Sequence, residues 1–217
     1  YFDLPFIYWL FGVSQSTQIY FIKEKKMPAQ FAYAQWPWGT KKREDFIKSC
    51  RELSEVGFRY FESVRSFIDM FKDNRNDFKV ITDEYDVHPI SFYFHFKGDP
   101  KADLDELKGK IDFVAFNGIK TITIQAPQRV GKVSQRDLKY FLDITMEYAK
   151  ICSQYGITPC IHPHHNTTVM YEDEINYVMA RTDPETIAFG PDTAHLVAGK
   201  CDPVNIIEHY KNRIKFI

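Results

Sequence analysis

Two hydrophobic periods alternate along the chain and predict a repeating strand–helix unit. Apolar or β-branched runs of strand length occur at residues 31–36, 58–62, 89–95, 119–125, 157–162, 187–191 and 214–217. Between several of them, apolar residues recur every three or four positions, a spacing that predicts helices with one buried face. Three such sets are Phe46, Cys50, Leu53 and Val56; Leu104, Leu107, Ile111, Val114 and Ala115; and Leu138, Phe141, Leu142, Ile144, Met146 and Ile151.

Glycine and proline mark the boundaries of these elements. Gly57, Gly118 and Gly156 each lie between a predicted helix and the next strand, where a residue with positive φ commonly ends a helix. Asp99-Pro100 and Asp202-Pro203 predict helix starts, with proline at the first helical position.

Strand–helix alternation predicts a parallel sheet with helices outside it. The repeat of about thirty residues runs through six units and into a seventh strand, which favours a (β/α)₈ TIM barrel, since that fold typically needs about 250 residues. The predicted fold is therefore an α/β barrel that is C-terminally incomplete, with about six and a half β/α units. An open doubly wound sheet is the alternative.

The first 26 residues match no element of this repeat. Their apolar stretch is too short to span a bilayer as a helix, and the lysines follow it, unlike those of a signal peptide. Met27 offers a start immediately before the first strand. We therefore expect residues 1–26 to be an unassigned tail, either upstream sequence outside the native protein or a segment with no part in the fold, with a membrane anchor as the alternative. Residues 27–217 are expected to form the partial barrel.

Composition and charge limit the cellular compartment and the kind of binding partner that we expect. The 217 residues carry a formal net charge of −1, so no overall basic field recommends a nucleic acid. The four cysteines lack Cys-x-x-Cys spacing, which predicts free, buried thiols in a reducing cytoplasm. A small molecule is the expected partner, with no membrane partner, and a homo-oligomer is possible.

Strand alternation predicts which polar side chains meet. His162 and His164 share one face, and Ile161 and Pro163 the other. The same parity predicts a ring at one mouth of the barrel, where such folds keep their active sites: Glu62, His95, Gln125, His162, His164 and Asp192. Imidazole and carboxylate together suit Mn²⁺, Co²⁺, Fe²⁺ or Zn²⁺.

Three segments carry a resemblance to known enzymes: His-Pro-His-His-Asn-Thr-Thr-Val at 162–169, Glu-Asp-Glu-Ile-Asn-Tyr-Val-Met at 172–179, and 182–196, which ends in Asp-Thr-Ala-His-Leu. The chain from about residue 31 onward resembles the xylose-isomerase-like TIM barrel superfamily of sugar phosphate isomerases and epimerases. Within it, the chain is most similar to inosose (2-keto-myo-inositol) dehydratases.

The resemblance implies roles for particular residues. Asp192 would be a metal ligand, and His195, three residues on, would lie by the metal or the substrate. Two features depart from the family pattern. Many epimerases have a glutamate where this chain has His162, and the family's remaining ligands, a histidine and a glutamate on strands seven and eight, would lie beyond Ile217.

The combined prediction is a metal-dependent isomerase, epimerase or lyase acting on a sugar or cyclitol by proton transfer beside a metal-bound carbonyl. Mn²⁺ or Co²⁺ is the first choice of ion, with Mg²⁺, Fe²⁺ and Zn²⁺ possible. The expected ligands are Asp192, His162 and His164; the expected catalytic groups His195, His164 and Glu62; and the expected substrate contacts Trp36, His95, Gln125 and His195.

Several alternatives remain open at this point. Glu62 and Gln125 suit barrel packing as well as substrate contact, and either Trp36 or Trp38 suits the core. The apurinic endonucleases share the barrel and the Asp-x-x-His pattern, although the chain lacks a basic stripe to hold DNA. An inactive truncated fragment is the third interpretation.

Overall fold

The computed structural model describes residues 31–217, which are built around a sheet of six parallel strands. The strands are β1 (Ala32–Ala34), β2 (Tyr60–Val64), β3 (His88–His95), β4 (Thr121–Gln125), β5 (Thr158–His162) and β6 (Ala188–Phe189). Their order in the sheet is their order along the chain. A doubly wound sheet reverses its strand order at a switch point, so this topology confirms the incomplete barrel.

Helices connect successive strands. They are α1 (Arg43–Glu55), α2 (Arg65–Phe71), α3 (Arg75–Glu84), α4 (Pro100–Lys108), α5 (Ile111–Phe116), α6 (Gln135–Ser153), α7 (Glu172–Met179), α8 (Thr193–Ala198) and α9 (Pro203–Tyr210). Single 3₁₀ turns occur at Trp36–Trp38, Lys72–Asn74 and Lys211–Arg213. Over residues 31–217, no helix combines the length and apolar character needed to cross a membrane.

The predicted boundary residues behave as expected. Gly57, Gly118 and Gly156 have φ values of 88°, 72° and 64°. The Asp99 side chain accepts hydrogen bonds from two backbone N–H groups of α4, and the Asp202 side chain does the same at α9. The four cysteines are free and buried, as predicted.

A cluster of phenylalanines fills the layer between the sheet and its first helices. Phe46 of α1 stacks on Phe78 of α3 with ring centroids 4.6 Å apart, and it meets Phe61 of β2 edge-on at 6.2 Å. Phe78 also contacts Phe113 of α5 at 5.2 Å. Aromatic pairs of this kind add to the stabilisation from buried area, so the cluster fixes the helices on the strands that carry the site.

A buried chain of hydrogen bonds, which we call the Gln35 relay, fixes the end of β1. Ser63 Oγ donates to Gln35 Oε1, Gln35 Nε2 donates to Ser49 Oγ, and Ser49 Oγ donates to the Phe46 carbonyl, each over 2.7 Å. The three polar side chains are fully buried. Each polar side-chain atom of the Gln35 relay has a hydrogen-bond partner, so the relay joins the end of β1 to β2 and α1 without leaving a polar group of the relay unpaired.

The structure corrects four local predictions. The first strand stops at Ala34, since Pro37 and its neighbours adopt a 3₁₀ turn. The helix predicted across residues 104–115 breaks at Gly109 into α4 and α5. Val56, assigned to a buried face, is 71% exposed. The segment 214–217 makes a single parallel bridge, from Ile214 to Phe189, instead of a strand.

The tail predicted at residues 1–26 lies outside the described residues.

Helix α8 packs tightly on the loop that follows β5. A Cβ atom built on Gly199, at the end of α8, would lie 2.3 Å from the Met170 carbonyl oxygen. We expect Gly199→Ala to lower the free energy of unfolding by about 1–3 kcal/mol, because backbone must shift to admit the methyl group. Gly109→Ala is the matched control, since its Cβ would find the nearest backbone oxygen at 3.4 Å. Equal denaturation midpoints for the two variants would contradict the prediction.

Candidate active site

A cavity of about 560 Å³ opens where the strands end, and all eight predicted side chains line it: Trp36, Glu62, His95, Gln125, His162, His164, Asp192 and His195. Ala34 and Tyr93 complete the described lining. Parallel strands place their carboxyl ends at one edge of the sheet, and alternation turns every second side chain inward. The structure thus brings the predicted set together, while the role of each member stays a prediction.

Three histidines form the candidate metal centre. His162 ends β5, His164 lies in the loop after it, and His195 lies on α8. One ring nitrogen from each can be chosen so that all three lie within 4.8 Å of one another. The rings of His164 and His195 have centroids only 3.7 Å apart.

Backbone carbonyls orient two of these rings. His162 Nδ1 lies 3.1 Å from the Gly190 oxygen, and His164 Nδ1 lies 2.8 Å from the His165 oxygen. A carbonyl oxygen only accepts, so Nδ1 carries the proton in both rings and Nε2 keeps its lone pair. Burial lowers the pKa of His162 to about 4. The ring is therefore neutral at pH 7, which is the form that binds a metal ion.

Asp192 caps α8 beside this group. Its Oδ1 accepts a hydrogen bond of 3.0 Å from the His195 backbone N–H, and its Oδ2 lies 3.9 Å from His195 Nε2. Burial works to raise the pKa of Asp192, but that backbone hydrogen bond and the neighbouring histidines outweigh it and lower the pKa. The predicted ligand set was Asp192, His162 and His164, whereas the compact cluster contains His195 in place of Asp192.

Glu62 is a half-buried acid in the cavity. Thr123 Oγ1 donates a hydrogen bond to its Oε1, and Ser91 Oγ lies 3.0 Å from Thr123 Oγ1. Burial raises the pKa of Glu62 to about 7, and the charge of Asp192 adds to the rise although the Thr123 hydrogen bond opposes it. A carboxyl group with this pKa can take up or release a proton near neutral pH.

Tyr93 is a site residue that the sequence analysis missed. Its hydroxyl donates to Gln125 Oε1, and its ring meets Trp36 edge-on at 5.1 Å and His162 at 5.4 Å. Burial raises the pKa of Tyr93, so the hydroxyl stays protonated. The signal was available, because Tyr93 precedes His95 by two residues and shares its face of β3.

The two tryptophans after β1 have different environments, one at the cavity and one at the core. Trp36 lines the cavity and is 48% exposed. Trp38 packs against the core, and its Nε1 donates to Glu52 over 2.5 Å. His165 is an exposed turn residue.

Comparison with known proteins places this site in a family. A family model described as Xylose isomerase-like TIM barrel matches residues 50–217, more than half of the chain. The chain belongs to this family. Its membership confirms the resemblance inferred from the segments around His162 and Asp192.

Relatives within the xylose isomerase-like family are named as enzymes. An inosose dehydratase from Geobacillus kaustophilus is 27% identical over 125 residues, which are 58% of this chain and 39% of the relative. The match thus spans about two fifths of that protein.

Two solved structures share the fold of the xylose isomerase-like family. A sugar phosphate isomerase/epimerase from Parabacteroides distasonis superposes with a TM-score of 0.69 and 18% identity, covering 89% of this chain and 76% of the other. The IOLI protein with a bound zinc atom gives a TM-score of 0.72 and 14% identity, covering 86% and 70%. At these identities the likeness concerns the fold alone.

Proposed function

We propose that the chain carries the active site of a divalent-metal-dependent enzyme acting on a sugar or cyclitol, with dehydration of an inosose as the reaction. The observation that carries the proposal is the shared cavity, in which three clustered imidazoles face a carboxyl group with a pKa near 7. The inosose dehydratase similarity, at 27% identity, supports the choice of substrate.

The donor chemistry fits a transition ion. His162, His164 and His195 would hold it, with the ionised Asp192 close by. Imidazole nitrogens suit Zn²⁺ and its neighbours in the first transition row, so Zn²⁺ belongs in the trial beside the predicted Mn²⁺ and Co²⁺. A bound divalent ion would supply positive charge that stabilises negative charge developing on a carbonyl oxygen.

The remaining steps fall to the side chains of this chain. Loss of water beside a ketone requires a base to remove the neighbouring proton and an acid to protonate the departing hydroxyl group. If His162, His164 and His195 hold the ion, their free ring lone pairs are used, and Glu62 is left as the base. The proton that Glu62 removes would then pass from its carboxyl group to the departing hydroxyl group, which leaves as water. Tyr93, Gln125 and His95 supply hydrogen-bonding groups around the substrate, and the exposed Trp36 ring supplies an apolar wall.

The test uses metal-free protein mixed with 2-keto-myo-inositol and one of Mn²⁺, Co²⁺ or Zn²⁺. We expect turnover to depend on the ion and to stop on addition of chelator. Metal-dependent cleavage of abasic DNA without sugar turnover would favour the endonuclease interpretation. Tight metal binding with neither activity would favour an inactive fragment.

The rate should depend on the protonation of Glu62. Since a base must be ionised, we expect kcat to fall as the pH drops below about 7 and to level off above it. Glu62→Gln should lower kcat by about a hundredfold or more and remove this limb of the profile. Glu147→Gln, on the exposed face of α6, is the control, and a Glu62→Gln variant that keeps the full pH profile would exclude Glu62 as the base.

A further inference from the structure

Arg65, the first residue of α2, is anchored at the mouth of the cavity by all three of its guanidinium nitrogens. Nε lies 3.1 Å from Glu106 Oε1, Nη1 donates to the His95 carbonyl oxygen over 2.9 Å, and Nη2 lies 3.2 Å from His95 Nε2. The side chains of Arg65 and Glu106 are only 20% and 14% exposed. A planar guanidinium held at three points has little freedom to turn away from the His95 ring.

This contact decides where His95 carries its proton. A guanidinium group donates hydrogen bonds and accepts none, so His95 Nε2 must be the acceptor and the proton lies on Nδ1. We infer that Arg65 is a positioning residue that holds His95 in its Nδ1–H form, so that His95 donates a hydrogen bond to an oxygen atom of the substrate. The substrate half of this inference rests on the proposed function.

The surrounding charges keep the ring neutral, as the inference requires. Partial desolvation of the ring lowers the pKa of His95, and the positive charge of Arg65 lowers it further, with a smaller effect from Lys97. Glu106 and Asp103 act in the opposite direction. Glu106 is itself paired with both Arg65 and Lys97, at 3.1 and 3.0 Å, so its charge is largely balanced. A neutral imidazole has one N–H, and Arg65 determines which nitrogen carries it.

The location of His95 in the cavity lining makes its Nδ1–H available to a ligand. His95 ends β3, is exposed, and lines the cavity together with Gln125 and Tyr93. With Nε2 occupied by Arg65, Nδ1 is the ring nitrogen that remains for a ligand. A fixed donor selects a ketone or hydroxyl oxygen over a donor-only group such as an ammonium ion.

The first test measures the tautomer without substrate. Long-range ¹H–¹⁵N NMR of the labelled protein should show the Nδ1–H form of His95, and Arg65→Met should turn it into a mixture of both forms and raise the pKa of His95. Arg59→Met is the control, because Arg59 pairs with exposed Asp86 at 3.2 Å and should leave His95 unchanged. An Nε2–H ring in the wild type, or an unaltered ring in Arg65→Met, would overturn the inference. Arg65→Lys, which keeps the charge but not the planar fork, should also give a mixture of both tautomers, with a smaller rise in the pKa of His95 than in Arg65→Met.

The second test asks whether Nδ1–H meets the substrate. An asparagine amide can occupy the position of Nδ1, whereas a glutamine amide reaches the position of Nε2. We therefore expect His95→Gln to weaken binding of 2-keto-myo-inositol about tenfold, as the loss of one hydrogen bond does, and His95→Asn to weaken it less. The reverse order, or equal losses, would overturn the donor role. Absence of binding by the wild type would count against the proposed function. The tautomer measurement needs no substrate, so it would still test whether Arg65 fixes the proton of His95.

Discussion

Replacing Arg129 with methionine is expected to lower the free energy of unfolding by about 3–5 kcal/mol, because it leaves a buried carboxylate without its partner. Arg129 Nη2 contacts both carboxylate oxygens of Glu174, at 2.7 and 2.5 Å, and Glu174 is only 6% exposed. Glu174 also accepts hydrogen bonds of 3.0 Å from the backbone N–H groups of Met170 and Tyr171. The pair therefore holds the loop that carries His164.

Urea denaturation of the purified variants measures this loss. The matched variant is Arg129→Met with Glu174→Gln, which removes both charges while the amide oxygen can still accept the hydrogen bonds from Met170 and Tyr171. It should recover much of the stability, since it leaves no isolated ion. The single variant should also bind metal more weakly, because the His164 loop loses its anchor. A single variant as stable as the wild type would show that the carboxylate reaches water and needs no partner.

Replacing His162 with alanine is expected to weaken Zn²⁺ binding by at least about a hundredfold, the upper range found for loss of a residue that merely supports a metal ligand. His162 is the most constrained member of the cluster, since it is neutral at pH 7 and its ring is oriented by the Gly190 carbonyl. Titration calorimetry of chelator-treated protein measures the affinity directly.

The control for this experiment is His209→Ala. His209 is exposed on α9 and lies against Tyr210, outside the candidate metal cluster. Its replacement should leave the affinity and the stoichiometry of one ion per chain unchanged. Equal affinities in the two variants would remove His162 from the metal site.

Local sequence patterns predict those parts of the fold and the site that depend on the alternation of side chains along a strand. Side chains alternate between the two faces of a strand, so the sequence alone places Glu62, His95, Gln125 and His162 at one mouth of the barrel. The helix caps at Asp99 and Asp202 depend on neighbouring backbone alone and were equally accessible. The family membership of the chain adds to these local signals.

The misses depend on contacts distant in sequence or on competing local preferences. Arg65 acts through its contacts with His95 and Glu106, which are 30 and 41 residues away in the sequence. No hydrophobic or polar period predicts those contacts. The chain around Trp36 has strand-forming residues, yet Pro37 favours the turn that ends β1. Gly109 broke a helix whose apolar spacing continued past it.

The Gln35 relay has a consequence for how this protein can change in evolution. Replacing Gln35 alone by leucine removes the acceptor of the buried Ser63 hydroxyl, and an unsatisfied buried group costs about 1–3 kcal/mol. Ser49 Oγ loses the hydrogen bond that it accepts but still donates to the Phe46 carbonyl. Replacing all three by apolar residues of fitting volume can be nearly neutral. Positions 35, 49 and 63 should therefore covary among homologues, with the polar set exchanged as a whole, and a deep alignment would reveal them as one coupled unit.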